Sequence, residues 1–257
     1  MTLPVAVAEL TERFLAEVDS RLPERLTGLF LHGSICWGEF FPGSDVDFVA
    51  VWDDVPAGSD LKLLQEAHET AKAELTFDGF HCTAADLATH PSALSPRPVF
   101  FQGAFNPEGT SDINLVTWHE LAERPVVVHG ELPPVYTNLD DLIAFTRTNL
   151  DTYWRAIARR IELADLATAG QNDAAVAWVT LGAPRLHHLL TTRTLTSKSG
   201  AGRYVLNSLD PRWHQLAEEA LAIRETPGTP TTYNTPTERA QDTHALLTWI
   251  LQDATGH

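Results

Sequence analysis

Two aspartates one residue apart, Asp45 and Asp47, stand in the run DVDFVAVW, and a glycine–serine pair, Gly33–Ser34, stands ten residues upstream at the end of GLFLH. Side chains alternate across a strand, so Asp45 and Asp47 would share one face and Val46 and Phe48 the other. Two carboxylates this close repel each other unless a cation lies between them. Hard oxygen donors suit Mg²⁺, which keeps part of its water shell and fills the rest with substrate phosphates. Glycine lets the backbone approach a phosphate closely. The Ser34 hydroxyl and neighbouring amides can donate to phosphate oxygens. The pattern points to a nucleotide–metal site, with Gly33 and Ser34 on the phosphates and Asp45 and Asp47 on the metal. The competing reading is an edge strand whose aspartates face water.

These residues need elements to hold them. Val5, Val7, Leu10, Phe14, Leu15 and Val18 recur at helical spacing and predict a helix over 3–22. Strands are predicted over 28–32, 45–52 and near 79–83, with a helix opening at Ser59–Asp60 between the second and third. The Pro-rich stretch 91–103 reads as irregular. DINLVTWHELAERP reads as a short helix and VVVHG as a strand. After Pro133–Pro134 the texture becomes helical almost to the end. LDDLIAFTRTNLDTYWRAIARRIELADL predicts one long amphipathic helix, and DAAVAWVTLGAPRLHHLL another, interrupted at Gly182 and Pro184. The expectation is an α+β domain over 1–132, a mixed sheet with flanking helices, followed by an all-α helical bundle domain over 133–257.

Composition narrows the chemistry. The chain of 257 residues carries 18 Lys plus Arg against 34 Asp plus Glu, a net charge of −16. Such a surface repels phosphate backbones and attracts cationic small molecules, so no nucleic-acid partner is expected. The two cysteines, Cys36 and Cys82, lack CxxC spacing, which argues against a zinc site or a disulfide framework. No uncharged apolar run approaches the roughly 18 residues of a membrane span, and no secretion signal opens the chain. The expected setting is the cytoplasm, without a membrane partner and with the oligomeric state open.

HGS, ten residues, then DVD resembles the signature of the DNA polymerase β-type nucleotidyltransferases. The resemblance implies transfer of a nucleoside monophosphate from a triphosphate, with Gly33 and Ser34 holding the triphosphate and Asp45 and Asp47 ligating Mg²⁺. The stretch PRLHHLLTTRTLTSKSGAGRYVL is similar to the helical domain of the aminoglycoside 3''-adenylyltransferases, in which a Lys follows an Arg by thirteen residues; Arg185 and Lys198 reproduce that spacing. The resemblance implies that Lys198 reaches the phosphates of ATP and that Arg185 supports nucleotide binding, although an ion-pair role on its own helix remains open for Arg185. The polar, Gly-rich TSKSGAG suits the task given to Lys198. The implied activity is Mg²⁺-dependent transfer of AMP from ATP to a hydroxyl of a small cationic aminoglycoside-like acceptor, of the antibiotic-resistance type. The alternatives are a protein or biosynthetic acceptor, or a nucleotide-binding protein that has lost catalysis.

Two departures from the family matter. The family's third acid, the base for the attacking hydroxyl, is expected after the third strand, but no Asp or Glu lies between Asp86 and Glu108, and Val99 falls near the aligned position. His81, on the third strand, is the substitute by residue type. The family also places an acid ahead of the Arg to hold the aminoglycoside. The strict position here is Ala175, with Asp173 two residues away. Trp118, with Glu120 and Glu131, would give a cationic sugar an aromatic wall and negative charge.

Overall fold

The computed structural model describes residues 2–72 and 74–255. It divides into two compact units, Met1–Asn138 and Leu139–His257. The α+β architecture predicted from the sequence is the one adopted.

In the first unit α1 (Val5–Arg21) presents Val7, Leu10, Phe14 and Val18, each at most 1 % exposed, along a single stripe. That stripe closes one face of the sheet together with Leu64, Ala67 and Ala71 of α2 (Asp60–Ala71). Emptying the site of Phe14 would cost about 3–5 kcal/mol. The sheet is built from β1 (Leu26–His32), β2 (Val46–Trp52), β3 (Phe77–Thr83), β4 (Arg97–Phe101), β5 (Ala104–Gly109) and β6 (Val126–Gly130). Its order is β5-β4-β3-β2-β1-β6. Among the described residues only β2 and β3 run parallel, joined by α2; the other pairs are antiparallel. The second face is covered by α3 (Ala84–Leu87) and α4 (Leu115–Glu123), with Val49, Val51, Phe80, Trp118 and Leu121 in the layer between. With both faces covered, β2 is buried throughout except at Asp47.

The stretch 91–103, expected to be irregular, contains β4 and is followed directly by β5. Prolines remove ladder donors, and they stand where few donors are needed: β4 pairs with β3 only at Gly79↔Phe100 and Phe80↔Val99, and Pro107 lies on the edge strand β5. The hairpin turns at Gln102 (φ 51°) and Gly103 (φ 76°).

The second unit contains α5 (Leu139–Asn149), a π-helical turn at Leu150–Trp154, α6 (Arg155–Leu163), α7 (Leu166–Ala169), α8 (Asp173–Thr192), α9 (Lys198–Ser208), α10 (His214–Glu225) and α11 (Pro236–Thr255). The long helix predicted over 139–166 runs without a break over 139–163, with the π turn inside it. The interruption expected at Gly182 and Pro184 does not occur: α8 continues through both. Gly182 is where the Trp154 ring lies: an added Cβ would stand 2.6 Å from it. The core of this unit gathers Leu150, Trp154, Val179, Val205, Leu216, Leu247 and Ile250.

Candidate functional site

The parallel register of β2 and β3 makes Asp47 and Asp78 direct partners. β3 starts at Phe77, two residues earlier than the sequence suggests, and this brings Asp78 into the strand. Asp-Gly normally signals a turn. Here Gly79 is needed inside the strand, because a Cβ would lie 2.0 Å from the Phe48 carbonyl oxygen. Asp78 Oδ1 accepts a hydrogen bond from Gln102 N at 2.9 Å, which ties the β4–β5 turn to this carboxyl. Burial raises Asp78 to about 6 against that bond, and the fields of Asp45 and Asp112 add to the rise. Asp78 is thus an acid beside Asp47 on β3 itself, whereas the sequence pointed to the stretch after β3.

Asp45 stands one residue before β2 rather than in it, and it is exposed. It still acts electrostatically on the carboxyls around it. Asp47 is raised to about 7, chiefly by burial and then by Asp45, Asp112 and Glu120, with His32 opposing. Asp112, in a left-handed turn conformation (φ 61°) ahead of α4, is also raised, first by burial and then by Asp45 and Glu120. Nothing in the sequence set Asp112 apart, because an acid just before the Asn114 helix cap reads as ordinary capping chemistry. Among the described residues no group of three or more His, Cys, Asp or Glu side chains is arranged to hold a metal by itself.

Gly33 has φ +62°, and a Cβ on it would lie 1.9 Å from Asp47 Oδ2. Only glycine both adopts that conformation without strain and leaves room for this carboxylate. Its amide is committed elsewhere: Gly33 N donates to Glu120 Oε2 at 3.2 Å. This amide is thus engaged within the protein. Glu120 Oε1 accepts from Trp37 Nε1 at 3.1 Å, and Glu120 Oε2 lies 3.6 Å from His32 Nδ1. Ser34 opens the 3-10 turn Ile35–Trp37, and its hydroxyl is buried without a hydrogen-bond partner.

Three other expectations come out differently. His81 lies on the sheet face opposite Asp47, with no exposed surface, among Phe14, Phe48 and Trp52. Its Nδ1 accepts from Trp52 Nε1 at 3.0 Å, and its Nε2 lies 2.9 Å from His68 Nε2. Burial lowers it to about 3. Strand alternation separates it from the acids, so it is a core residue. Trp118 is fully buried, stacks on Phe80 at 5.6 Å and donates to the Thr89 carbonyl; it forms no open wall. Glu120 is buried as well and holds the Gly33 turn. In the second unit Asp173, in the first turn of α8, accepts from Arg239 Nη1 at 2.7 Å, so its charge is already paired. Arg185 Nε donates to the Thr196 carbonyl at 3.2 Å, steadying the loop that leads to Lys198 at the start of α9.

No family model matches the chain, and no curated protein matches it. Among solved structures it resembles the crystal structure of spectinomycin adenyltransferase AAD(9) from Enterococcus faecialis with ATP and spectinomycin. The TM-score is 0.68 at 14 % identity, over 93 % of this chain and 98 % of that one. The two proteins share a fold over nearly their whole lengths.

Proposed function

We propose that this chain is an ATP-dependent adenylyltransferase that joins AMP to a hydroxyl of a small cationic acceptor. The observation that carries the reading is the meeting of Asp45, Asp47 and Asp78 at the edge of the Gly33–Ser34 turn. The fold shared with a protein solved with ATP and spectinomycin supports it, and the net charge of −16 favours a cationic acceptor.

Surplus negative charge on oxygen donors suits Mg²⁺. Burial, and then the carboxylates around it, raises Asp47 to about 7. Asp45 and Asp47 would hold the ion, with nucleotide phosphates completing its shell. When bound, the ion neutralises charge on the transferring phosphoryl group and the pyrophosphate leaving group. Ser34 Oγ donates to a phosphate oxygen. Asp78 takes the proton of the acceptor hydroxyl as its oxygen bonds to the α-phosphorus; the bond from that phosphorus to the bridging oxygen breaks and pyrophosphate leaves. A carboxyl near 6 is ionised at neutral pH yet basic enough to accept that proton.

Purified chain with ATP and Mg²⁺ is to be incubated with spectinomycin, streptomycin and a wider panel of cationic antibiotics. An acceptor heavier by one AMP, with equimolar pyrophosphate, is the expected result. Absence of both across the panel overturns the reading.

A further inference from the structure

The sheet face opposite Asp47 borders a cavity that the reaction above does not use. It measures about 390 Å³ and lies where the C-terminal end of α2, the start of β3 and the β4–β5 turn meet. Cavities that hold small ligands begin at about 300 Å³. Leu10, Leu75, Phe77 and Phe100 supply apolar wall, and Gln102 and Gly103 bring the turn to its edge.

One polar ring interrupts this wall. His68 of α2 is 3 % exposed and stacks on Phe100 at 4.6 Å. A chain of hydrogen bonds fixes its tautomer. Trp52 Nε1 can only donate, and it donates to His81 Nδ1. The proton of His81 therefore stands on Nε2, which faces His68 Nε2 at 2.9 Å. His68 Nε2 must accept, so the one proton of His68 stands on Nδ1. That N–H meets no acceptor among the described residues. Nor is the nitrogen enclosed by protein atoms; the cavity is the space it opens to. A donor set in an apolar wall is poorly hydrated, and an acceptor in the cavity completes its bonding.

Lys72 follows His68 by four residues, so the two share a face at the end of α2. Lys72 Nζ lies 5.8 Å from the centre of the Phe100 ring, the same ring on which His68 stacks, and it pairs with no carboxylate among the described residues. One neutral and one cationic N–H donor thus stand at a single aromatic ring. A carboxylate accepts from both, and the Phe77 and Phe100 rings suit a planar aromatic body. The net charge of −16 opposes an anion at long range, but physiological salt screens exposed charges beyond about 8 Å. Glu74, exposed in the same lining, disfavours a second negative group on the ligand.

We propose that this cavity binds a small aromatic monocarboxylate, the carboxylate accepting from His68 Nδ1 and facing Lys72 Nζ, with the ring against Phe77 and Phe100. The site does not depend on the adenylyl-transfer reading. The β4–β5 turn links it to the acids on the other face, because Gln102 lines the cavity and its N holds Asp78 Oδ1.

Benzoate is the probe, added to the full chain carrying ¹⁵N-labelled histidine. Proton-detected NMR reads the His68 ring N–H directly, assigned through its proximity to the Phe100 ring. The expected result is a His68 proton on Nδ1 whose signal shifts saturably with benzoate. Lys72→Met changes an exposed side chain and keeps its apolar stem. It should weaken benzoate about fivefold, the upper range for an exposed ion pair. A His68 proton on Nε2, no saturable shift with benzoate, an equal shift with acetate at the same concentration, or undiminished benzoate affinity in Lys72→Met each overturns the inference.

Discussion

Asp47 of β2 and Asp78 of β3 are register partners across the only parallel strand pair among the described residues. Adjacent strands lie about 4.8 Å apart, so both carboxyls can serve one bound group from the same sheet face. Their surroundings differ. Asp47 is raised to about 7 and has three further carboxylates acting on it, whereas Asp78 is raised to about 6 and has one oxygen held by Gln102 N. Burial and like charge thus separate two acids of the same type into a group that calls for a cation and a group able to accept a proton.

Replacing Asp78 by Asn keeps an oxygen for Gln102 N and removes the proposed base. Turnover is expected to fall about 10²–10⁴-fold, with triphosphate affinity within about threefold of the parent. Rapid-quench measurement of AMP transfer, paired with calorimetric binding, checks it. Undiminished turnover would return the base to another residue.

Two glycines of the same turn separate backbone strain from crowding. Both Gly33 (φ +62°) and Gly38 (φ +70°) adopt left-handed conformations, but only Gly33 has Asp47 where a Cβ would go; Gly38 has nothing within 4 Å. Each alanine substitution carries about 1–2 kcal/mol of strain. Gly33→Ala must also displace the Asp47 carboxylate, and turnover should fall at least about 100-fold. Gly38→Ala should lose stability to chemical denaturant while keeping its rate. Similar rates in the two variants would remove the steric argument.

The first motif was legible because both of its parts are local. A Gly-Ser break followed by DVD carries its chemistry in residue type and spacing, and HGS…DVD does lie at the Asp47 edge. Asp78 was hidden because Asp-Gly imitates a turn, and the Phe48 contact that demands Gly79 is not local. Glu120 was visible only as a charge on a short helix; its three partners come from the β1 end and the turn after it. His81 looked suited to acid–base work by type, but strand alternation counted from Phe77 puts it with Phe48 in the core. Residue type was readable from the sequence, whereas the sheet face and its register depended on where a strand began.

The buried histidine pair predicts acid sensitivity. His81 Nδ1 accepts from Trp52, a donor-only group, so its own proton lies on Nε2 and is given to His68 Nε2. Burial lowers both, and His81 depresses His68 further. The unfolded state therefore binds protons that the folded state refuses. This stability is fully present above about 6.5 and is lost as pH falls towards about 3, at up to about 1.4 kcal/mol per pH unit for each histidine. Denaturant melts from pH 7 to 5 should show the loss. His81→Phe should flatten the slope while lowering stability at pH 7, because Trp52 Nε1 is left without an acceptor. An unchanged slope in the variant would place the acid sensitivity elsewhere.

In the second unit Arg239 and Glu219 form a buried ion pair at 2.6 Å, and Glu219 also receives Thr231 and Thr232. Removing Glu219 leaves the buried Arg239 with only the exposed Asp173 as a counter-charge, a loss of up to about 3–5 kcal/mol. Glu219→Ala should therefore destabilise this unit far more than Glu218→Ala, whose side chain is exposed. Limited proteolysis should cut first within 226–235, the segment that Glu219 holds. Equal cleavage in the two variants would deny the pair that function.

The last prediction joins stability to the metal. Without a cation Asp47 is destabilised by burial and by the carboxylates around it, and its tie to His32 only partly compensates. Asp47→Asn removes the repelling charge at nearly constant shape. In metal-free buffer at pH 8 the variant is expected to be more stable by about 1 kcal/mol, or about 3 °C in melting temperature. The order should reverse with Mg²⁺ and a triphosphate present, because ligands that bind the folded state stabilise it in proportion to their affinity, and the variant has lost one hard-oxygen donor. A single charge would then be unfavourable in the free protein and required in the complex. If the melting temperature of Asp47→Asn rose with Mg²⁺ and the triphosphate as much as the parent's, Asp47 would not be a metal ligand. Its raised titration would then reflect only burial and the carboxylates around it.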